Sequence, residues 1–227
     1  MHETFTNRTE AGRKLAWRLR KYADRDDVIV LGVPRGGVPV AFEVATALRA
    51  PLDVFVIRKL GVPGHQELAF GAIGSGGIRV LDRDIVEGWG ITGLDIDRVT
   101  RAEKQELERR ERAYRGGRPP LDLKGMIAIL VDDGIATGSS MRAAIRALRQ
   151  LKPARIVIAV PVAAPRTCNH LAFEADELVC LDMPEPFYGV GQFYGDFSEV
   201  SDDEVNALLD RASRPLDRKE NHTGKFS

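Results

Sequence analysis

The chain of 227 residues carries two cysteines, Cys168 and Cys180. They have neither the C-x-x-C spacing of a redox pair nor that of a metal knuckle. Two buried thiols in a reducing cytoplasm are therefore expected. There is no excess charge: 33 Lys and Arg balance 33 Asp and Glu. A dedicated nucleic-acid binder usually has a basic surplus, so a nucleic-acid partner is disfavoured unless a local patch hides in the neutral total. No apolar run approaches the roughly 18 residues a membrane-spanning helix needs. The opening "MHETFTNRTEAGRK" lacks the apolar core of a secretory signal. Neither a membrane nor a secretory role is expected. Repeats and low-complexity linkers are absent, as are a Walker G-x-x-x-x-G-K-[ST], a G-x-G-x-x-G fingerprint and a helix-turn-helix pattern.

What is present has the composition of a soluble globular protein, 44 % hydrophobic and 29 % charged. Short β-branched apolar runs alternate with amphipathic stretches. "DDVIVLGV", "LDVFVI", "MIAILV", "RIVIAV" and "ELVCL" read as buried strands. "VPVAFEVATALRA", "SSMRAAIRALRQL" and "PRTCNHLAFEA" read as the helices between them. A first helix is expected over 8–23, with Leu15, Leu19 and Tyr22 on one side. "ELAFGAI" and "GGIRVL" suggest strands around a Gly-rich turn. Residues 95–115 form a charged helix with Asp95 as its cap, and "RRERAYR" within it reads as a solvated face. Ser201 and Glu204 predict a capping box at the start of a helix over 201–212. "GGRPPLDLKG" is a loop, and the polar segment 213–227 a disordered tail. Strands alternating with helices predict a three-layer α/β/α, doubly wound parallel sheet. Ligands of such sheets bind beyond the carboxyl ends of the strands.

Those ends carry the chemistry. "MIAILVDDGIATGSSM" drives Asp132 and Asp133 out of an apolar strand into very small residues, then into a helix. Small residues let backbone N–H groups approach a ligand, and a helix N-terminus adds positive potential. Together they suit a phosphate. Thr137, Ser139 and Ser140 add hydroxyl donors. Two carboxylates beside a phosphate need another partner, and vicinal sugar hydroxyls supply one. The group recognised is then a ribose 5-phosphate. The plain alternative is a helix cap with two solvent-exposed aspartates. "VPRGGVPVA" places Arg35, Gly36 and Gly37 at the end of the first strand, either as an anion loop or as an ordinary strand-to-helix turn. "VIRKLGVPGHQELAFGAI" reads as a mobile basic loop with Arg58, Lys59 and His65, though a lone surface histidine is the simpler view of His65.

"ILVDDGIATGSS" resembles the phosphoribosyl-pyrophosphate (PRPP) signature of the type I phosphoribosyltransferases. The resemblance spans roughly residues 25–185 in architecture and implies that family's fold, with a small hood over the sheet. It implies that Asp132 and Asp133 take the ribose hydroxyls. Ala136, Thr137, Gly138, Ser139 and Ser140 would take the 5-phosphate, and Arg35, Gly36 and Gly37 the pyrophosphate. Arg58, Lys59 and His65 would be the catalytic residues serving the leaving group, as in the orotate enzymes of the family. Mg²⁺ is the implied cofactor, bound by ligand oxygens with no direct protein ligand. Some members acting on 6-oxopurines place an acid just before the Thr-Gly. Ala136 stands there in this chain, so that base is missing.

The acceptor hood is assigned to the N-terminal helix, with Trp17 nearby, and to residues 183–197, whose Phe187, Tyr188, Phe193 and Tyr194 suit stacking on a flat heterocycle. Pinning of the loop by these aromatics is the competing view. The helix at 95–115 is extra relative to the smallest members and is assigned to oligomerisation, a homodimer being expected. One domain over 1–212 is expected to transfer phosphoribosyl from PRPP to a small nitrogenous acceptor. A PRPP- or nucleotide-sensing regulator is the alternative, and a hydrolase is a weaker third reading.

Overall fold

The computed structural model describes residues 4–116 and 121–213. The tail expected beyond Ser213 and the middle of the expected loop at 116–125 lie outside the described residues. Five parallel strands form the main sheet: β1 (Val28–Gly32), β2 (Leu52–Val54), β6 (Ile127–Val131), β7 (Arg155–Val162) and β8 (Glu177–Asp182). Their order is β2-β1-β6-β7-β8. Every residue of β6 is buried, because both faces of the sheet are covered. Ile127, Ile129 and Val131 face the layer of α1 (Arg8–Arg18) and α2 (Gly37–Leu48), while Ala128 and Leu130 face α5 (Ser139–Gln150) and α6 (Pro165–Glu174). A last helix, α7 (Asp202–Ser213), packs Val205 and Leu209 into the α1–α2 layer. The predicted three-layer, doubly wound architecture is the one observed.

Topology places the site. From β1 the chain crosses through α2 to β2 on one side. When it re-enters the sheet as β6 it lies on the other side of β1. The switch point, and with it the crevice, falls at the carboxyl ends of β1 and β6. There the N–H of Val33 donates to the carbonyl of Val131 at 2.9 Å.

Between β2 and β6 stands an antiparallel sheet of β3 (Ile57–Val62), β4 (His65–Gly74) and β5 (Ile78–Leu81), followed by α3 (Arg83–Gly88) and α4 (Gly93–Arg115). The segment predicted as a mobile basic loop is thus a β-hairpin. Its tip is Pro63–Gly64, Gly64 taking φ +82° as a tight turn demands. The cations and glycines suggested a loop. Leu60, Val62 and Phe70, all buried in the core that includes Leu107 of α4, decide for strands. The structure also adds α3, capped by Asp82, in a segment with no predicted element. The cap of α4 is Thr92 rather than Asp95: the Thr92 hydroxyl accepts from the Asp95 N–H and the Asp95 carboxylate accepts from the Thr92 N–H. Asp95 is the other half of the box. The Ser201 hydroxyl accepts from the Glu204 N–H at the start of α7, as predicted.

The apolar side of α4 is used within the chain, where Leu107 and Tyr114 pack into the core. Arg109 and Arg110 pair with Glu106, which they draw down to a pKa of about 2, so this part of "RRERAYR" is a charged outer face. Arg115 is the exception: it is buried, with Nη2 3.1 Å from Oδ2 of the equally buried Asp53 on β2. Removing one partner of a buried pair leaves the other charge uncompensated. Arg115→Met should therefore lower the unfolding free energy by about 3 kcal/mol in urea titrations, with part of the loss recovered in Asp53→Asn/Arg115→Met.

Candidate functional site

Asp132 and Asp133 follow the last residue of β6 and are not the solvent-exposed acids of the plain helix-cap alternative. Both are half-buried. The Oδ1 of Asp132 accepts the N–H of Asp133 at 2.9 Å. The Oδ2 of Asp133 accepts Nε of Arg8 at 2.8 Å, in a pair whose side chains are only 13 % and 11 % exposed. Burial, reinforced by the neighbouring Asp133 charge, pushes the Asp132 carboxyl well above the usual carboxylate range. Burial also raises Asp133, and the Arg8 guanidinium pulls it back.

The loop after β1 lies directly against these acids. A Cβ on Gly36 would stand 2.0 Å from Oδ2 of Asp133. One on Gly37 would stand 2.7 Å from the Val131 carbonyl and 2.8 Å from the Asp132 Cα. Both glycines are required by close approach, which separates this loop from an ordinary turn. Arg35, between Pro34 and Gly36, extends its guanidinium to the carboxylate of Glu199.

On the other side of the acids, residues 135–140 lead into α5. Ile135 bridges to β7, its N–H donating to Val162 O at 2.9 Å and its carbonyl accepting from Ala164 at 3.0 Å. The Thr167 hydroxyl, from α6, donates to Ala136 O at 2.6 Å. Gly138 takes φ +74° as the N-cap of α5, with the Thr167 methyl 2.5 Å from where its Cβ would be. Thr137, Ser139 and Ser140 are exposed around the helix start, Thr137 Oγ1 and Ser139 Oγ being 3.5 Å apart. The first N–H groups of α5 have no partner within the helix, and no side chain caps them.

The remaining predicted residues are distributed differently. Arg58 is tied to Glu103 of α4 at 2.7 Å, and with Lys59 it lines a groove against that helix. His65 packs its ring 4.9 Å from that of Trp89. Among the described residues, no hydrogen bond or ion pair joins these three to Asp132 or Asp133. The same hairpin does reach the phosphate-type loop, since Glu67 and Ser139 line one cleft of about 240 Å³. The hood aromatics divide. Phe193 and Tyr194 are buried against Phe5, and the Tyr194 hydroxyl donates to Asp133 O at 2.6 Å. They pin the loop and offer no free face for stacking. Phe187 is half-buried and Tyr188 is 86 % exposed. Trp17 lies outside the hood, exposed beneath the guanidinium of Arg20. Of the free thiols, Cys168 is buried and Cys180 only half-buried, its thiol donating to Asp182 O at 3.1 Å.

Arg8, Thr167, Phe197 and Glu199 went unrecognised in the sequence. One signal pointed to Arg8. It opens α1 beside the cap residue Asn7, where the helix dipole disfavours a cation.

A model of the phosphoribosyl transferase domain matches residues 3–195. Rv0571c of Mycobacterium tuberculosis H37Rv and MT0597 of strain CDC 1551, both carrying provisional phosphoribosyl transferase names, are each 51 % identical to this chain over 210 residues. The alignment covers 92 % of this chain and 47 % of each relative, so the chain spans about half the length of the curated relatives it matches. The crystal structure of TT1426 from Thermus thermophilus superposes with a TM-score of 0.82 at 42 % identity, over 91 % of this chain and 97 % of that one. The chain belongs to the phosphoribosyl transferase domain family.

Burial raises the folded pKa of both acids, so ionising either costs stability; they differ in that Asp133 is bonded to the Arg8 guanidinium. Asp132 is protonated in both folded and unfolded states below a pH of about 4. Above that its raised folded pKa makes ionisation cost stability, increasingly so until the folded pKa is passed. Asp132→Asn should therefore raise Tm at pH 7.5 by about 2–4 °C, a gain that disappears near pH 4. Asp133→Asn strands Arg8 and should lose about 3 kcal/mol. A scan of Tm against pH for both variants checks the contrast. Gly138→Ala, forced to positive φ against Thr167, should cost about 1–2 kcal/mol in urea unfolding.

Proposed function

We propose that the chain transfers the 5-phosphoribosyl group of PRPP to a small nitrogenous acceptor and releases pyrophosphate. The observation that carries this is that Asp132 and Asp133 sit against the Gly36–Gly37 loop and lead directly into the small-residue start of α5. The side-chain-free Gly36–Gly37 loop touches them on one side and the start of α5 lies on the other. That spacing suits a ribose whose hydroxyls meet the acids and whose two phosphate-bearing ends diverge.

In this reading the C1–oxygen bond to pyrophosphate breaks as the acceptor nitrogen bonds to C1, through an oxocarbenium-like transition state. Asp133, kept ionised by Arg8, accepts from the ribose hydroxyls. The Gly36 backbone N–H takes the charge developing on pyrophosphate, the Gly37 N–H being bonded to Val33 O, and is joined by Arg35 once it leaves Glu199. Lys59 and His65 contribute only if the hairpin closes over the ligand, and Arg58 must first leave Glu103. The donor set suits magnesium carried by ligand oxygens: Asp133 is engaged by Arg8, and no group of three metal-ligating side chains occurs among the described residues. Bound Mg²⁺ neutralises charge on the diphosphate.

Ala136 leaves no carboxylate beside Thr137, so an acceptor with an already acidic N–H is favoured over a 6-oxopurine. Tyr188 is the hood aromatic open to stack on it, Phe187 being packed against Phe193. No described helix is long and apolar enough to cross a membrane, and two free thiols fit a reducing cytoplasm. A homodimer is the proposed assembly.

The ion pairs that engage Arg35 and Arg58 favour a second reading, a sensor that binds PRPP without turning it over. Incubation with PRPP, Mg²⁺ and a panel of purines, pyrimidines and pyridine carboxylates separates the two. The transferase reading expects pyrophosphate release with an acidic heterocycle. Tight PRPP binding without release from any acceptor identifies the sensor.

A further inference from the structure

Arg8 is where three parts of the molecule meet, and no motif of the sequence includes it. Its Nε donates to Oδ2 of Asp133 at 2.8 Å, 125 residues away in the chain. Its Nη1 donates to the carbonyl of Ser198 at 2.8 Å. Its guanidinium carbon lies 4.0 Å from the ring centroid of Phe197. Its Nη2 stands at the Gly36 loop, 3.3 Å from where a Cβ on that residue would be. The aromatic ring sets the plane of the guanidinium and the carbonyl fixes one edge, so the two remaining edges have defined targets: the acid and the loop.

The helix start does not favour this residue. Asn7 accepts the N–H of Glu10 at 3.0 Å and so already satisfies the cap, while the dipole opposes a cation at position 8. Phe197 and Ser198 lie beyond residue 195, where the match to the family domain ends. Two contacts of the clasp thus come from outside that match, while Arg8, Asp133 and Gly36 lie within it.

Resting on the donor-site reading above, we propose that Arg8 is a positioning residue of the ribosyl donor site. It fixes the orientation and charge of Asp133 for the ribose hydroxyls. It also turns its Nη2 edge to an anionic oxygen seated on the Gly36–Gly37 loop. The charged and titratable groups facing Asp133 are Asp132 from β6, Arg8 from α1 and Tyr194 from the hood, with Arg35 and Glu199 across the loop. Arg8 is the cation bonded to the carboxylate. Lysine would replace its charge but not its fixed fork.

Two measurements test this. The first follows the carboxyl ¹³C signal of Asp133 through a pH titration of the free protein, wild type against Arg8→Ala and Arg8→Lys. The midpoint should move upward in Arg8→Ala and return towards wild type in Arg8→Lys. The second is calorimetric titration with PRPP and Mg²⁺ from pH 5 to 8.5. Affinity should fall at least tenfold in Arg8→Ala, with its acid limb displaced to higher pH. Arg8→Lys should restore the position of the limb but not the affinity. An unmoved Asp133 midpoint, or PRPP affinity within twofold of wild type in either variant, overturns the proposal. If Arg8→Ala does not fold, Arg8→Lys alone decides it: full wild-type affinity there rules out a role for the fork. Wild-type protein that binds no PRPP instead sinks the donor-site reading and this proposal with it, while the Asp133 titration still reports whether Arg8 sets the charge of that acid.

Discussion

Placing two like charges side by side at the end of a buried strand is the constraint around which the site is built. Asp132 and Asp133 emerge from β6, whose five residues are all buried, so neither acid has free access to bulk water. Such a pair persists only if something offsets its repulsion and desolvation. The structure supplies one cation, Arg8, from 125 residues earlier in the chain, and one backbone N–H, that of Asp133 itself. It also removes every side-chain atom from the loop pressed against the pair, which is why positions 36 and 37 are glycine. A third demand follows at the hood: Tyr194 packs over the acids and caps the Asp133 carbonyl. Site, hood and N-terminal helix are therefore consequences of one electrostatic problem.

Local patterns were legible in the sequence and long-range pairings were not. The β-branched runs marked the parallel strands because both faces of such strands are apolar. "DDGIATGSS" marked the turn from a buried strand into a helix, with two acids at its mouth, because those features are contained in nine consecutive residues. Arg8 with Asp133 and Arg35 with Glu199 join residues 125 and 164 positions apart, and no periodicity reports such a contact. Only half of the hairpin at 57–74 was legible: "ELAFGAI" reads as a strand, but the cations and glycines of the first arm and tip also occur in loops, and Leu60 declares a strand only once α4 is seen to cover it. The cap of α4 shows the smallest version of the problem. Thr92 and Asp95 bond each other reciprocally, so sequence alone could assign the cap to either.

The aromatic loop shows how composition mixes two roles. Phe193 and Tyr194 belong to a small core with Phe5, where the N–H of Phe5 donates to Phe193 O and that of Gly195 to Phe5 O. Phe187 packs half-buried against Phe193, while Tyr188 beside it remains at the surface. A stretch rich in Phe and Tyr supplies both anchor and contact face, and only the backbone pairing with the N-terminal segment tells them apart.

The brace on the loop at 135–140 has a thermodynamic consequence. Ile135 is stitched to β7 through two backbone bonds, and Ala136 is fastened to the first turn of α6 by Thr167. The entropy lost in ordering that loop is lost once, during folding, so under the proposed function an anion would meet a seat already formed. Among the described residues, the hairpin tip at Pro63–Gly64 is hydrogen-bonded only within its own two strands. If it closed over a ligand, its ordering would be charged against each binding event.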